Sequence, residues 1–373
     1  YASYDDDGRL GLGTGWMLEK GVYEFYIGEN VRDNELAGSF ELSEDVVVEN
    51  LKSALKPVKA FKRMNSNGEM EDTPLREVQN VDTRMEYVPA EIPQTGDKGI
   101  KLPDVISGKN TMDEFIAQLD DEELTLVVRG EGMGSPKVTT GTAGAFGGLS
   151  KELQAMGVPA CCCSDGPSGM RIDSGKYAFA TPNGTCIAST FSKGAVTNLF
   201  EYFGIEMLSN EIDVILGPGM NIHRHPLNGR NFEYFSEDPY LTGIIAASEL
   251  KGLHKNGVTG CIKHFCVNNR EFKRQFMSSV VSERALREIY LRGFEIAVKD
   301  GDAKCIMTVY NRINGTYGAS NYDLTTRILR EDWGFKGIVM TDWWAFTCSE
   351  AYVEGDRMTH SFMARAQNDL YMC

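Results

Sequence analysis

Charged and aromatic side chains follow short apolar runs at several points along this chain. The residues concerned are Asp165, Arg171, Arg230, Lys263, His264, Arg274, Tyr310, Asp342 and Trp343. Carboxylates and cations form paired hydrogen bonds with vicinal hydroxyls, and an aromatic face covers the apolar side of a sugar ring. A phosphate site would favour the cations without the acids. The mixture of both therefore indicates a sugar-binding site.

Three of these residues also have a purely structural interpretation. Asp342 could cap a helix that follows its strand, His264 could be a satisfied core histidine, and Trp343 could serve only in packing. The neighbouring motifs favour the functional interpretation, because Lys263 immediately precedes His264 and Trp343 immediately follows Asp342. We therefore expect Asp342 and His264 in the site and Trp343 as a platform for the sugar.

Three further acids lie close together in the segment that follows Arg230. Glu233, Glu237 and Asp238 resemble catalytic carboxylates by type. We expect them instead to build their loop through ion pairs and helix capping. On this interpretation Glu233 orients Arg230 or Lys263.

Short apolar runs alternate with helical stretches over the last two thirds of the chain. Candidate buried strands lie at 124–128, 160–163, 214–216, 260–262, 305–308, 338–340 and 370–372. Repeated strand and helix units imply a parallel sheet, and their number favours an α/β fold of the (β/α)8 TIM-like barrel type. We expect the barrel to be incomplete, because its closing helix is not found before Cys373. In such a barrel the carboxyl ends of the strands bring the polar residues together.

The first third of the chain differs in character from the rest. Residues 1–60 contain strand patterns, with Tyr23, Phe25 and Ile27 on one face of an alternating run, and we interpret them as the end of a β-sandwich. Residues 61–110 are polar and rich in glycine and proline, which is typical of a connector. A capping box then begins the barrel, which we assign to 111–373.

Several segments resemble the signature sequences of glycoside hydrolase family 3, the β-glucosidase family. They read SDGPSGMR, GPGMNIHRHPLNGRNFEYFSEDP, KHFCVNNRE and MTDWW, and the similarity spans roughly residues 100–373. The resemblance implies hydrolysis of a terminal β-linked glucose with retention, through a glycosyl ester on Asp342. It also implies that seven of the residues named above hold the sugar, namely Asp165, Arg171, Arg230, Lys263, His264, Arg274 and Tyr310. Xylose or N-acetylglucosamine specificity remains an alternative.

The resemblance leaves the general acid unassigned. A retaining glycosidase needs a second carboxyl group about 5 to 5.5 Å from the nucleophile, and in this family it usually comes from a further α/β domain. Only 31 residues follow Asp342. The chain resembles members with inverted domain order, in which a fibronectin type III-like sandwich precedes the barrel, so residues 1–60 would be the end of that sandwich. The acid would then lie upstream of Tyr1, and a sugar-binding fragment without turnover is the rival hypothesis.

The composition of the chain excludes several classes of binding partner. The net charge of −15 argues against nucleic acid or an anionic membrane as a partner, and no apolar run is long enough to span a membrane. The nine cysteines include three in succession and no CxxC pair, which favours reduced thiols in the cytoplasm. His223 and His225 lack a third clustered ligand, so neither a metal nor another cofactor is expected. A β-glucoside is the expected partner, and a homo-oligomer stays open.

Overall fold

The computed structural model describes residues 2–76, 89–349 and 351–373. Its strands are β1 (Ser3–Asp5), β2 (Gly15–Leu18), β3 (Gly21–Gly28), β4 (Asn34–Leu42), β5 (Val46–Asn50), β6 (Lys62–Met64), β7 (Met70–Asp72), β8 (Gly144–Gly147), β9 (Ala160–Asp165), β10 (Val214–Leu216), β11 (Thr259–Phe265), β12 (Ser278–Ser279), β13 (Cys305–Thr308), β14 (Arg312–Ile313), β15 (Thr316–Tyr317) and β16 (Ile338–Thr341).

The helices lie between and after these strands. The α-helices are α1 (Leu102–Ile106), α2 (Met112–Ala117), α3 (Asp121–Val127), α4 (Lys151–Ala155), α5 (Gly184–Ala188), α6 (Lys193–Ser209), α7 (Pro239–His254), α8 (Glu283–Ala285), α9 (Arg292–Lys299) and α10 (Ser361–Arg365). Two π-helical segments, Leu286–Tyr290 and Asp323–Asp332, and a 3-10 turn at Gly318–Ser320 complete the set. None of the helices in the described ranges combines the length and apolar character needed to cross a membrane.

A curled six-stranded sheet forms the centre of the molecule. Its strand order is β16, β13, β11, β10, β9, β8. Neighbouring strands run parallel from β9 to β16, whereas β8 runs antiparallel to β9. The parallel strands are almost wholly buried, as expected of strands with helices outside and a packed interior. The α/β class predicted from the alternating runs is therefore confirmed.

Single β-bridges connect the two edges of this sheet. Leu370 bridges to Met340 of β16, and Tyr371 bridges to Arg129. Glu131 in turn bridges to Ala145 of β8. The hydrogen-bonded circuit thus passes through eight segments, of which six are strands. The described residues thus form a curled half-barrel sheet, and the finer prediction of a (β/α)8 TIM-like barrel is not confirmed.

One local prediction was wrong at this closure, and one strand was not predicted. The run at 124–128 is not a strand, because helix α3 occupies Asp121–Val127. A reciprocal capping box starts that helix: the Asp120 carboxylate accepts from the Glu123 backbone N–H at 2.8 Å, and Glu123 accepts from the Asp120 N–H at 3.0 Å. The strand β8, with its glycines at both ends, was not predicted. The capping box predicted at Thr111 does begin α2.

Helix α7 packs against both α6 and α9 outside the sheet. Two glycines of α7 permit the close approach. A Cβ on Gly252 would lie 2.5 Å from the Thr197 carbonyl oxygen of α6, and one on Gly243 would lie 2.7 Å from the Ile296 side chain of α9. Inside the sheet, Cys163, Cys261 and Cys305 belong to a separate apolar core with methionines of β13 and β16. All nine cysteines are free thiols.

The N-terminal strands form three small sheets, one of which contacts the helical side through β1. The hairpin β3–β4 confirms the predicted strands there, and β1, β2 and β5 form a second sheet. The buried carboxylate of Glu283 accepts hydrogen bonds from the Tyr4 hydroxyl at 3.1 Å, from the Ser53 hydroxyl at 2.5 Å and from the Ala54 N–H at 2.9 Å. The connector at 61–110 contains the hairpin β6–β7, and its residues 77–88 lie outside the described residues. The fibronectin-like origin and the bounds of the three assigned regions stay predictions.

Candidate active site

The carboxyl ends of the parallel strands surround a cavity of about 400 Å³. All nine residues selected from the sequence line it: Asp165, Arg171, Arg230, Lys263, His264, Arg274, Tyr310, Asp342 and Trp343. Asp165 ends β9, Lys263 and His264 lie near the end of β11, and Asp342 directly follows β16. The structure therefore brings together residues that are up to 178 positions apart in the sequence.

Opposite charges alternate along one wall of the cavity. The Lys263 ammonium lies 2.9 Å from an Asp165 carboxylate oxygen and 3.5 Å from an oxygen of Glu233. Arg230 donates to both oxygens of Glu233, from Nε and from Nη2, each at 2.6 Å. The side chains of Lys263 and Glu233 are 5% and 7% exposed, so these charges are stabilised chiefly by one another. The prediction that Glu233 orients Arg230 and Lys263 fits this geometry.

The charged groups of this wall also affect the ionisation of Asp165. Burial works against the charged form of Asp165, but the Lys263 charge and hydrogen bond, together with the Gly166 N–H and the Arg230 charge, hold its pKa below the ordinary value. Asp165 is therefore an ionised hydrogen-bond acceptor at neutral pH. It is poorly suited to donate a proton.

Asp342 is 9% exposed at the floor of the cavity. Its Oδ1 accepts from the Trp343 N–H at 2.8 Å, and its Oδ2 lies 3.8 Å from His264 Nε2. Burial raises its pKa above the ordinary value, although the Trp343 N–H and the charges of Lys263, Arg230 and Arg274 all favour the carboxylate. The loss of hydration therefore has a larger effect on the pKa of Asp342 than the nearby cations.

Tyr310 and Trp343 are coupled through the backbone beside Asp342. The Tyr310 hydroxyl donates to the Trp343 carbonyl oxygen at 2.8 Å. The same hydroxyl also interacts with the side chain of Asp342. Burial, and then the nearby Asp342 charge, raise the pKa of Tyr310, so its hydroxyl keeps its proton.

Two arginines at the rim have their own carboxylate partners. Arg171 donates to both oxygens of Asp173, at 3.0 and 2.8 Å, and both side chains are exposed. Arg274 donates to Glu271 at 2.7 Å, and its guanidinium lies 4.9 Å from the centre of the Tyr310 ring. These pairings orient both arginines at the cavity before any ligand is present.

His264 is 2% exposed and is surrounded by cations. Burial, and then the charges of Arg230, Lys263 and Arg274, hold its pKa well below the ordinary value. It is therefore neutral, and its approach to Asp342 is not an ion pair.

Known proteins share this arrangement of sequence and structure. A model of the glycosyl hydrolase family 3 N-terminal domain matches residues 97–368. The chain belongs to glycosyl hydrolase family 3. A β-glucosidase of Ruminococcus albus is 58% identical over the whole chain, which covers 39% of that relative, and β-glucosidase A of Butyrivibrio fibrisolvens is 37% identical over 92% of the chain, covering 44% of that relative.

Solved structures of the family agree with this assignment. A β-glucosidase from Paenibacillus barengoltzii superimposes on the whole chain with a TM-score of 0.95 at 50% identity, and the chain covers 42% of it. β-Glucosidase 3B from Thermotoga neapolitana, solved in complex with glucose, matches 69% of the chain with a TM-score of 0.63 at 41% identity, and 36% of it is covered. The chain thus spans less than half the length of the curated relatives and solved structures compared.

Sequence reasoning missed several residues that line the cavity of this family 3 chain. They are Met133, Gly141, Thr142, Ala143, Asp173, Leu216, Met307 and Trp344. Asp173 follows Arg171 by two positions, and Trp344 is the second tryptophan of the MTDWW segment, so local sequence offered a signal for both. Met133 to Ala143 lie in the segment after the mispredicted strand. The predicted helix cap is present, since Asp238 accepts from the N–H groups of Tyr240 and Leu241.

The carboxylates that line the cavity are Asp165, Asp173 and Asp342, as far as the described residues show. Asp165 is paired with Lys263, and Asp173 with Arg171. The lowered pKa of Asp165 keeps that carboxylate ionised. The cavity wall formed by these residues therefore contains a candidate nucleophile and no candidate general acid.

Proposed function

We propose that this chain carries the sugar-binding and nucleophile part of a retaining β-glucosidase that releases terminal β-linked glucose. The observation that supports it best is the position of Asp342. It lies on the floor of the cavity, beside cations that favour its ionised form. The relatives named above are β-glucosidases, and one solved neighbour holds glucose.

Asp342 is the proposed nucleophile of a double displacement. One carboxylate oxygen attacks the anomeric carbon and forms an ester bond while the bond to the leaving oxygen breaks. Water then attacks the same carbon and releases both glucose and the carboxylate. The Trp343 N–H holds Oδ1 of Asp342 at 2.8 Å, which fixes the carboxylate for attack.

The charged wall is proposed to recognise the hydroxyl groups of the sugar. Asp165 accepts hydrogen bonds, and Lys263 and Arg230 donate them, while Arg171, Arg274 and His264 complete the polar lining. Trp343 offers its ring to the apolar face of the sugar, and Tyr310 fixes the backbone that carries this ring. Alternating charges suit neutral hydroxyl groups better than they suit a phosphate.

The general acid is proposed to come from outside these 373 residues. Protonation of an ordinary leaving oxygen needs a neutral acid near the anomeric carbon. The lining carboxylates other than Asp342 are ion-paired. Hydrolysis of an ordinary glucoside by this chain alone is therefore expected to be slow.

A substrate that needs no general acid isolates the proposed nucleophile. The chain is incubated with 2,4-dinitrophenyl 2-deoxy-2-fluoro-β-glucoside, and intact mass and peptide mapping follow. We expect one fluoroglucosyl group on the peptide that contains Asp342. The matched control is Asp342→Asn, which preserves the side-chain shape and should carry no adduct. Labelling by the 2-deoxy-2-fluoro-β-xyloside and by an N-acetylglucosamine analogue, compared with labelling by the glucoside, tests the alternative specificities.

The rival function is binding of glucose without turnover. It is favoured by the ion pairing of Asp165 with Lys263 and of Asp173 with Arg171. Glucose binding detected by calorimetry, with no adduct from a folded sample, would select the rival. An adduct at another carboxylate would exclude Asp342 as the nucleophile.

A further inference from the structure

The side chain of Asn221 is clamped to the backbone of His264. Its Oδ1 accepts from the His264 N–H at 2.9 Å, and its Nδ2 donates to the His264 carbonyl oxygen at 2.9 Å. Both residues are 2% exposed. A backbone N–H can only donate and a carbonyl oxygen can only accept, so the two bonds fix which end of the amide is oxygen. The amide oxygen therefore faces the imidazole side.

The imidazole ring lies between two groups whose hydrogen-bonding character cannot change. Nδ1 of His264 lies 3.3 Å from Asn221 Oδ1, which only accepts, and 3.4 Å from the Tyr234 hydroxyl. Nε2 lies 3.1 Å from Arg230 Nη1, which only donates. A proton on Nδ1 and a lone pair on Nε2 satisfy both neighbours.

The other protonation states conflict with the same neighbours. A proton on Nε2 alone would point at the Arg230 donor and leave Nδ1 as an acceptor facing the Asn221 oxygen. The imidazolium would likewise direct an N–H at the guanidinium. The groups around the ring also include the charges of Lys263 and Arg274, which oppose a further positive charge.

We propose that Asn221 and Arg230 hold His264 as the neutral Nδ1–H tautomer, in which Nε2 accepts from Arg230 and the histidine acts as a positioning residue. Arg230 is then held at three points, by both oxygens of Glu233 and by His264. Of its five N–H groups, two remain for a ligand.

The Nδ1–H tautomer also limits what His264 can do in catalysis, a conclusion that rests on the proposed function. His264 Nε2 lies 3.8 Å from Asp342 Oδ2 and has the position of a proton donor to the nucleophile or to a leaving group. With a lone pair on Nε2, the ring has no proton to give in that direction. His264 therefore serves neither as the missing general acid nor as a donor to Asp342.

Nitrogen NMR of the ligand-free chain tests the tautomer directly. The full chain is labelled with ¹⁵N-histidine, and long-range ¹H–¹⁵N spectra are recorded over a range of pH. The chain has five histidines, so His264→Gln identifies the signals of interest by their loss. We expect a pyrrole-type Nδ1 and a pyridine-type Nε2 that do not titrate through neutral pH. The opposite pattern, or an imidazolium near neutral pH, overturns the proposal.

Two variants then test whether Nε2 acts through Arg230. His264→Gln can place an amide oxygen near the Nε2 position, whereas His264→Leu cannot. We expect the fluoroglucoside labelling rate to fall by about tenfold or more in His264→Leu and substantially less in His264→Gln, with no change in the pH profile of the latter. Equal loss in both variants would overturn the positioning role. If wild type is not labelled at all, the proposed function fails, yet the NMR result still decides the tautomer.

Discussion

The guanidinium of Arg230 and the carboxylate of Glu233 form a planar, two-point pair, with both N···O distances at 2.6 Å. Glu233 also lies 3.5 Å from the Lys263 ammonium. A single carboxylate thus serves two cations that face the sugar cavity. Its removal would leave both cations in a poorly hydrated place.

Replacement of this carboxylate should affect binding and stability together. In Glu233→Gln we expect the free energy of unfolding to fall by about 3 to 5 kcal/mol, as for other broken buried ion pairs, together with loss of glucose affinity. Denaturant unfolding and calorimetry measure the two effects. Glu237→Gln, an exposed residue on the same loop, is the matched control and should change neither. A stable Glu233→Gln protein with normal affinity would contradict this role.

The raised pKa of Asp342 predicts that this proposed nucleophile destabilises the fold when it is ionised. A folded-state pKa above the unfolded value means that the native state binds the proton more tightly, so this contribution to stability is present below the unfolded pKa and is lost as pH rises through the folded pKa. Asp342→Asn should therefore be more stable than wild type at neutral pH. The difference should shrink as pH falls toward about 4, the ordinary pKa of Asp. Thermal unfolding at several pH values measures it, and a constant difference would argue against the pKa shift.

The two adjacent tryptophans offer a matched test of the sugar platform. Trp343 is half-buried and its backbone contacts both Asp342 and Tyr310, whereas Trp344 is 48% exposed. We expect Trp343→Ala to weaken glucose binding by up to about tenfold and Trp343→Phe to preserve most of it, since an aromatic face is worth about 0.5 to 1.5 kcal/mol. Trp344→Ala should have the smaller effect. The glucose affinity of all three variants is measured by the protection that glucose gives against fluoroglucoside labelling. A larger loss of affinity in Trp344→Ala than in Trp343→Ala would reassign the platform to Trp344.

Glu283 is predicted to anchor the N-terminal sheets to the helical side. Its fully buried carboxylate accepts from Tyr4, Ser53 and Ala54, and lies 3.4 Å from Arg287. Glu283→Gln should increase hydrogen exchange in residues 2–55 and lower the free energy of unfolding by about 3 to 5 kcal/mol. Glu44→Gln, at an exposed position, serves as the control. Unchanged exchange in 2–55 would show that apolar packing alone holds these strands.

Local sequence was sufficient to predict much of the architecture. The runs that became β9, β10, β11, β13 and β16 were recognisable because buried parallel strands are short and continuously apolar. The helix caps at Thr111 and Asp238 were also predictable, since capping depends on residues within one turn. The closure of the sheet could not be predicted in this way. The antiparallel strand β8 and the bridges of 129–131 and 370–371 depend on contacts between the two ends of the domain.

The sequence by itself determined which chemical groups this protein brings to its site: an aspartate after the last regular strand, a lysine and histidine after another, and arginines in the loops between. Their order also sufficed for the family resemblance. Only the tertiary structure decided how these groups affect one another. The pKa of Asp342 depends on the balance between burial and three cations that are near in space but far away in the sequence. The orientation of His264 depends on Asn221, 43 positions away in the sequence. Because such effects act between residues that only the fold brings together, pKa shifts and side-chain orientations could not be predicted from residue types and spacing along the chain.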